Sequence, residues 1–243
     1  MTCDVHGLKE FYDSPAGLVA ARLLRERLAA LWPSLKGQRV LGLGHASPYL
    51  RLWRDQARCC NALTPSHAPL HRWPRGALGL SLAAEEEALP FPDLSFDRVL
   101  LVHGLEGADN ARRLLREVWR VLRDDGRLIV VVPNRHGVWA HVEGTPFGHG
   151  HPYTPGQLTR LLQRQSFRVD RRDGALFVPP VRLRLVLRTA GLWEVAGRAL
   201  CPRFAGLTLL EAEKDVFAAV PAGAVAVRRR ILAPAKQLAT TAG

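Results

Sequence analysis

Residues 118–134, VWRVLRDDGRLIVVVPN, read as the end of a helix, a tight turn and a buried strand. The helix runs from Asp109 to Arg123, with Leu114, Val118 and Leu122 on one stripe and Leu115 and Trp119 beside it. Asp124-Asp125-Gly126 makes the turn, and Arg127 to Val132 the strand, closed by Pro133. An unbroken apolar run such as LIVVV is what a strand covered on both faces requires. Working upstream, Phe96 to Val102 is a second such strand, and Arg39 to Gly44 a third that runs into a glycine turn. Helix is predicted over Pro48 to Ala57, and further strands over Ala57 to Leu63 and Ala77 to Leu82. Strands alternating with helices over the first 165 residues imply a mostly parallel, doubly wound α/β sheet with helices on both faces. Such sheets bind ligands outside the carboxyl ends of their strands. The glycine turn at Gly42–Gly44, the acidic loop Glu85-Glu86-Glu87 and the strand end at Val102-His103 should therefore converge.

The flanks set the organisation. Residues 1–36 form a helical extension, its helix opened by Ser14 as N-cap and Pro15 as first residue and closed at Pro33. Residues 37–227 form the α/β domain. Within it, Asn134 to Tyr153 lacks periodicity, carries four histidines and reads as a long functional loop. Thr154-Pro155-Gly156-Gln157 is a capping box opening a helix to about Gln165. Two more strands are expected at Phe167 to Asp170 and Gly206 to Val220, separated by an arginine-rich amphipathic insert, Val181 to Phe204. The tail, 228–243, is basic, then Ala/Thr-rich, and is expected to be disordered.

At 243 residues and 47% hydrophobic, the chain can bury one sizeable core. Its 34 Lys and Arg against 22 Asp and Glu give +12, which attracts anionic partners such as nucleic acid or lipid headgroups without specifying a fold. Nearly all of these cations are Arg, which suits phosphate and carboxylate contacts or simply reflects a GC-rich coding sequence. Cys3, Cys59, Cys60 and Cys201 are too few and scattered for a disulfide framework or zinc knuckle. The first fifteen residues hold charges and no apolar core of a signal peptide, and no apolar run approaches a membrane span. A cytoplasmic protein is the expectation.

Three blocks carry a resemblance: VLGLGHASPYL, EEEALPFPDLSFDRVLLVHGLE and LLREVWRVLRDDGRLIVVVPN. In order and spacing, over roughly residues 37–170, they resemble the type 11 class I methyltransferases. The resemblance implies a Rossmann-like, seven-stranded sheet whose last strand is antiparallel, with S-adenosyl-L-methionine across the strand ends. In that family the first motif is similar to D/E-x-G-x-G-x-G. Here Gly44 matches its first glycine, Gly42 stands at the acidic place, and Ala46 and Pro48 stand at later glycine places. The family also carries an acid after its second strand that accepts from the ribose hydroxyls. This chain has Asn61-Ala62-Leu63-Thr64-Pro65-Ser66, so Asn61 or Thr64 would have to substitute. Glu85 matches the position that accepts from the adenine amino group, or is simply solvated as charge runs often are. Val102 and His103 match positions lining the methionine end.

His103 is a candidate general base, or equally a packed structural histidine. His136, His141, His149 and His151 fit no zinc spacing, so no metal is expected. His149 and His151 are instead candidates to face the substrate. Trp193 is a candidate anchor if the insert and the loop together cover the acceptor site. Arg113, Arg116, Arg120 and Arg123 line one helix face, either as a nucleic-acid surface or, as favoured, as a solvated helix back. The sequence thus predicts S-adenosylmethionine-dependent methyl transfer to an unidentified acceptor, small or lipid-like. The alternatives are a catalytically degenerate binding or assembly protein of this fold and, third, an RNA methyltransferase.

Overall fold

The computed structural model describes residues 5–65, 81–84, 88–142, 145–148, 150–180 and 184–217. Helix α1 (Val5–Asp13) leads directly into α2 (Pro15–Leu31), which Ser14 caps by accepting from the Gly17 amide. The sequence reading placed the second helix and missed the first. Strand β1 (Arg39–Gly44), the single turn α3 (Ser47–Leu50), β2 (Cys59–Pro65), β3 (Ser81–Ala84) and β4 (Phe96–Val102) follow. Helix α4 (Ala111–Val121), capped by Asn110, runs into β5 (Leu122–Pro133). Two 3₁₀ turns, Val138–His141 and Pro146–Gly148, sit in the loop before α5 (Pro155–Arg164). Then come β6 (Phe167–Ala175), α6 (Arg184–Arg188), α7 (Ala190–Leu200) and β7 (Leu207–Lys214).

The sheet order is β3-β2-β1-β4-β5-β7-β6, parallel throughout except β7, which is antiparallel to both neighbours. That is the expected doubly wound architecture with its reversed last strand. Alternate residues serve two cores. Val40, Leu100, Val102, Ile129 and Val131 pack with α1 and α2. Leu41, Leu43, Val99, Leu101, Val130 and Val132 pack with α4 and α5. Burial on both faces explains the unbroken apolar runs.

Several boundaries differ from expectation. The helix expected over 48–57 is regular only over Ser47–Leu50. Beyond it, hydrogen bonds alternate between i−3 and i−4 (Trp53 N to Leu50 O, 3.1 Å; Ala57 N to Trp53 O, 2.8 Å), so the chain continues as turns. Strand β2 lies two residues later than expected at each end. The third strand is described only from Ser81, and 77–80 fall outside the described residues. In β5, Leu122 already pairs with Phe96, and the Asp124-Asp125-Gly126 turn is an excursion before Arg127 rejoins at Arg98. Strand β6 is longer than expected because its polar half, to Ala175, is held by β7. The capping box of α5 is present, with Thr154 and Gln157 bonding each other's backbones. The tail from 228 onward, the outer end of the strand expected to Val220, and residues 181–183 lie outside the described residues.

Candidate active site at the strand ends

The β1 turn is pulled hard against β4. Gly44 has φ +67°, and a Cβ there would stand 2.4 Å from the Val102 carbonyl oxygen. That carbonyl accepts from the His45 amide at 2.7 Å. Gly42 lies beneath α3, where a Cβ would meet Leu50 Cδ1 at 2.7 Å. Glycine is thus required by close approach at both places. Immediately after β4, His103 adopts φ +51°, a conformation that costs a non-glycine residue about 1–3 kcal/mol. Its amide holds Val131 O at 3.1 Å, which fixes the residue between β1 and β5.

The His103 ring is buried and bonded at both nitrogens. Nδ1 lies 2.7 Å from Glu106 Oε1, and Nε2 lies 2.8 Å from the Tyr12 hydroxyl of α1. With the ring proton on Nδ1, donated to the carboxylate, Nε2 accepts and Tyr12 donates. Burial first, then Tyr49 and the Glu106 carboxylate, hold the Tyr12 phenol well above its ordinary 10, so it stays a neutral donor. Tyr12 also stacks on His45, with centroids 4.7 Å apart and planes 17° apart. Phe11 and Phe147 meet the Tyr12 ring edge to face, and Trp139 packs edge to face on both of them, so α1 and the loop after β5 together cap the strand ends.

Glu106 is clamped from behind. Its carbonyl accepts from the His151 amide at 2.9 Å, and Gly150, with φ +75°, passes so close that a Cβ would lie 2.5 Å from that oxygen. Its carboxylate is buried, and Oε2 has no hydrogen-bond partner. Beside this clamp opens a cleft of about 370 Å³ lined by Arg135, Gly150, His151, Pro152, Tyr153 and Gln157. Burial, then the charge of Glu106, push the Tyr153 phenol above its ordinary value.

Of the residues predicted from sequence, Gly42, Gly44, Val102 and His103 come together, and His151 lines the neighbouring cleft. Glu85 and His149 lie outside the described residues. Trp193 is placed elsewhere, on the outward side of α7, whose inward residues face Phe177. Asn61 pairs with Leu41 inside the sheet, whereas Thr64 directly follows the Leu43–Leu63 pair at the strand end. Thr64 also pairs with Ala83 of β3, so β2 continues through it to Pro65. Among the described residues no group of His, Cys, Asp or Glu is arranged to hold a metal. None of their helices is long and apolar enough to cross a membrane.

Sequence reasoning took His103 as the one titratable group at this strand end and passed over Glu106, three residues on. It also passed over Tyr12. Leu8, Phe11 and Tyr12, spaced i, i+3, i+4 and all buried, were the available signal of the helix that carries it.

Residues 41–130 match the family model of a methyltransferase domain. Those residues of the chain are a methyltransferase domain. The domain is 52% identical over 48 residues to a ubiquinone/menaquinone biosynthesis C-methyltransferase of Hahella chejuensis, covering 20% of this chain and 19% of that protein. Over 201 residues it is 28% identical to an uncharacterized protein of Mycobacterium tuberculosis, 77% of this chain and 66% of that one. The chain thus spans less than two thirds of the length of both relatives. In structure, the methyltransferase domain is similar to an S-adenosylmethionine-dependent methyltransferase of Thermotoga maritima (TM-score 0.60, 18% identity, 87% and 96% of the two chains). It is also similar to one of Archaeoglobus fulgidus (TM-score 0.56, 19% identity, 85% and 97%).

Proposed function

We propose that this domain transfers a methyl group from S-adenosylmethionine to a small, hydroxyl-bearing acceptor, with His103 as general base. The carrying observation is the buried His103–Glu106 pair at the end of β4, directly against the Gly44 turn. The residues suit the cofactor at its methionine end. Glu106 keeps a buried, unpartnered carboxylate oxygen that suits a cationic ligand, and Gly44 lets backbone approach without a Cβ in the way. At the ribose end this chain carries no acid after β2, only the neutral Asn61 or Thr64 as substitutes, so affinity should fall about tenfold or more relative to a charged partner. When bound, S-adenosylmethionine supplies an activated methyl group on a sulfonium.

This chain's residues then have two tasks. His103 takes the acceptor's hydroxyl proton at Nε2, and Glu106, accepting from Nδ1, holds the ring in that tautomer and stabilises it once charged. The Tyr12 hydroxyl already sits at Nε2, the position such an acceptor hydroxyl would take, so Tyr12 has to yield before the acceptor engages. The cleft beside Glu106 is the supporting entry route, with His151 on its wall. The quinone-pathway C-methyltransferases among the relatives favour a hydroxylated, lipid-like aromatic acceptor, whose ring carbon becomes nucleophilic once its hydroxyl loses the proton.

Calorimetric titration with S-adenosylmethionine and S-adenosylhomocysteine tests the cofactor. His103→Asn should leave that binding intact while lowering kcat for a hydroxylated acceptor by about 10²–10⁴-fold. Failure of the unaltered chain to bind either compound at millimolar concentration would turn the reading to a binding or assembly protein on this fold. The plugging of Nε2 by Tyr12 is the observation favouring that alternative.

A further inference from the structure

Helix α7 is built inside out. Its inward positions are the small residues Ala190 and Gly197 together with Glu194. A Cβ on Gly197 would stand 2.5 Å from Phe177, and Glu194 accepts from the Phe177 amide at 2.6 Å. Its large apolar residues face solvent instead. Leu192, Trp193, Val195 and Leu200 are exposed to between 42% (Trp193) and 79% (Leu200), and Leu185 of α6 and Phe204 just beyond α7 are exposed as well. At 100° per residue the four on α7 span an arc of roughly 160°, with Ala196 and Ala199 inside it. A soluble helix ordinarily carries its apolar arc on the buried side. Charge around this arc has one sign. Residues 181–204 hold five arginines and one acid, and the acid, Glu194, is the buried one. Arg188, Arg198 and Arg203 are exposed around the apolar side chains.

We propose that this face docks on an anionic lipid surface, with α7 lying in the plane of the headgroups. Apolar side chains on a short helix, a tryptophan among them, and a rim of arginines are what an interfacial helix requires. The apolar groups leave water for the acyl boundary while the guanidinium groups stay at headgroup phosphates. A second copy of the chain fits worse, because a two-fold contact would set Arg188 and Arg203 against their own copies, while the segment's one acid, Glu194, already meets Arg198 at 3.8 Å. A folded protein partner also fits worse. Six apolar side chains on one helix, its neighbour and the turn after it fall well short of the roughly 20–30 residues per side of a stable interface. The absence of any membrane-crossing helix among the described residues accords with surface docking rather than spanning. The inference is independent of the methyl-transfer reading and stands whether or not the cofactor binds.

Sedimentation of the full chain with vesicles tests it, using phosphatidylglycerol mixed with phosphatidylcholine and phosphatidylcholine alone. Binding to the anionic vesicles should exceed binding to the neutral ones at least tenfold and weaken as salt is raised. The triple variant Leu192→Ser, Trp193→Ser, Leu200→Ser should lose vesicle binding at least tenfold. Because those side chains are exposed, its thermal melt should be unchanged. Arg188→Gln with Arg203→Gln should weaken anionic binding and spare the melt. No binding to anionic vesicles overturns the proposal, as does equal binding by the triple variant. A concentration-dependent dimer in light scattering that the triple variant abolishes assigns the face to a second copy and overturns it too.

Discussion

Replacing Gly44 with alanine adds one methyl group at the point where β1 turns against β4, and two separate costs follow from the geometry. The backbone sits at φ +67°, which costs a residue with a Cβ about 1–2 kcal/mol. The added carbon would also lie 2.4 Å from the Val102 carbonyl oxygen. That oxygen cannot move aside. It accepts from the His45 amide, and Val102 is paired with Gly44 on one side and Val131 on the other. Overpacking against fixed neighbours adds about 1–3 kcal/mol. The sum, about 2–5 kcal/mol, should lower Tm by about 4–20 °C for a chain of this size. Two further glycines separate the contributions. Gly37 shares the positive φ (+74°) but has nothing within 4 Å, so Gly37→Ala should show the conformational cost alone. Gly156, in the first turn of α5, has neither obstacle, so Gly156→Ala should raise stability by about 0.4–1 kcal/mol. Differential scanning calorimetry of the three variants gives the order Gly156, Gly37, Gly44 from best to worst. A Gly44→Ala variant melting with or above Gly37→Ala would refute the close-approach argument.

Arg120 and Arg116 belong to the same helix face yet should behave differently. Arg120 donates to the Leu89 and Phe91 carbonyls and to Glu117 and Asp93, so Arg120→Ala should cost about 1–3 kcal/mol in urea unfolding. Exposed Arg116→Ala should stay within about 0.5 kcal/mol. Tyr12 and Tyr49 are both held above the ordinary tyrosine value of 10, chiefly by burial. The unfolded chain therefore releases these protons first. Stability is intact below pH 10 and falls above it, by about 1.4 kcal/mol per pH unit for each tyrosine. Urea melts between pH 9 and 11.5 should show that slope, reduced by Tyr12→Phe or Tyr49→Phe; an unchanged slope in both variants would remove tyrosine burial as its cause.

What the sequence disclosed follows from periodicity. Strands β1, β4 and β5 are buried on both faces, and α4 and α5 have strong stripes and side-chain caps, so pattern alone located them. The same patterning placed Gly44 and His103 at neighbouring strand ends. The partners of His103 were hidden for different reasons. Glu106 is a charged residue in a turn, and burial of such a group is set by the Gly150–His151 clamp more than forty residues away. Tyr12 reaches His103 across 91 residues of sequence, a separation to which no local pattern is sensitive. The arginine stripe expected on one helix, of which Arg123 falls in β5, illustrates the converse limit. Spacing marked Arg120 and Arg123 as a solvated back, but Arg120 ties down the segment ahead of β4 and Arg123 meets Asp97 at 3.5 Å. The insert was recognised as amphipathic, yet which way its apolar side would point depends on Phe177 and on the small residues of α7.

The last of the described strands stands in the interior of the sheet. Strand β7 lies between β5 and β6, and every backbone pairing that joins β6 to the sheet passes through it. During synthesis, β1 to β5 can assemble as they emerge, but β6 must wait, edge unpaired, until residue 214 has left the ribosome. The waiting strand is Phe-Arg-Val-Asp-Arg-Arg-Asp-Gly-Ala, with three arginines and two aspartates in nine residues. Charge of that density is how exposed edges avoid pairing with other chains. The nascent protein thus carries its charge in the described strand that has no partner on either side until β7 arrives.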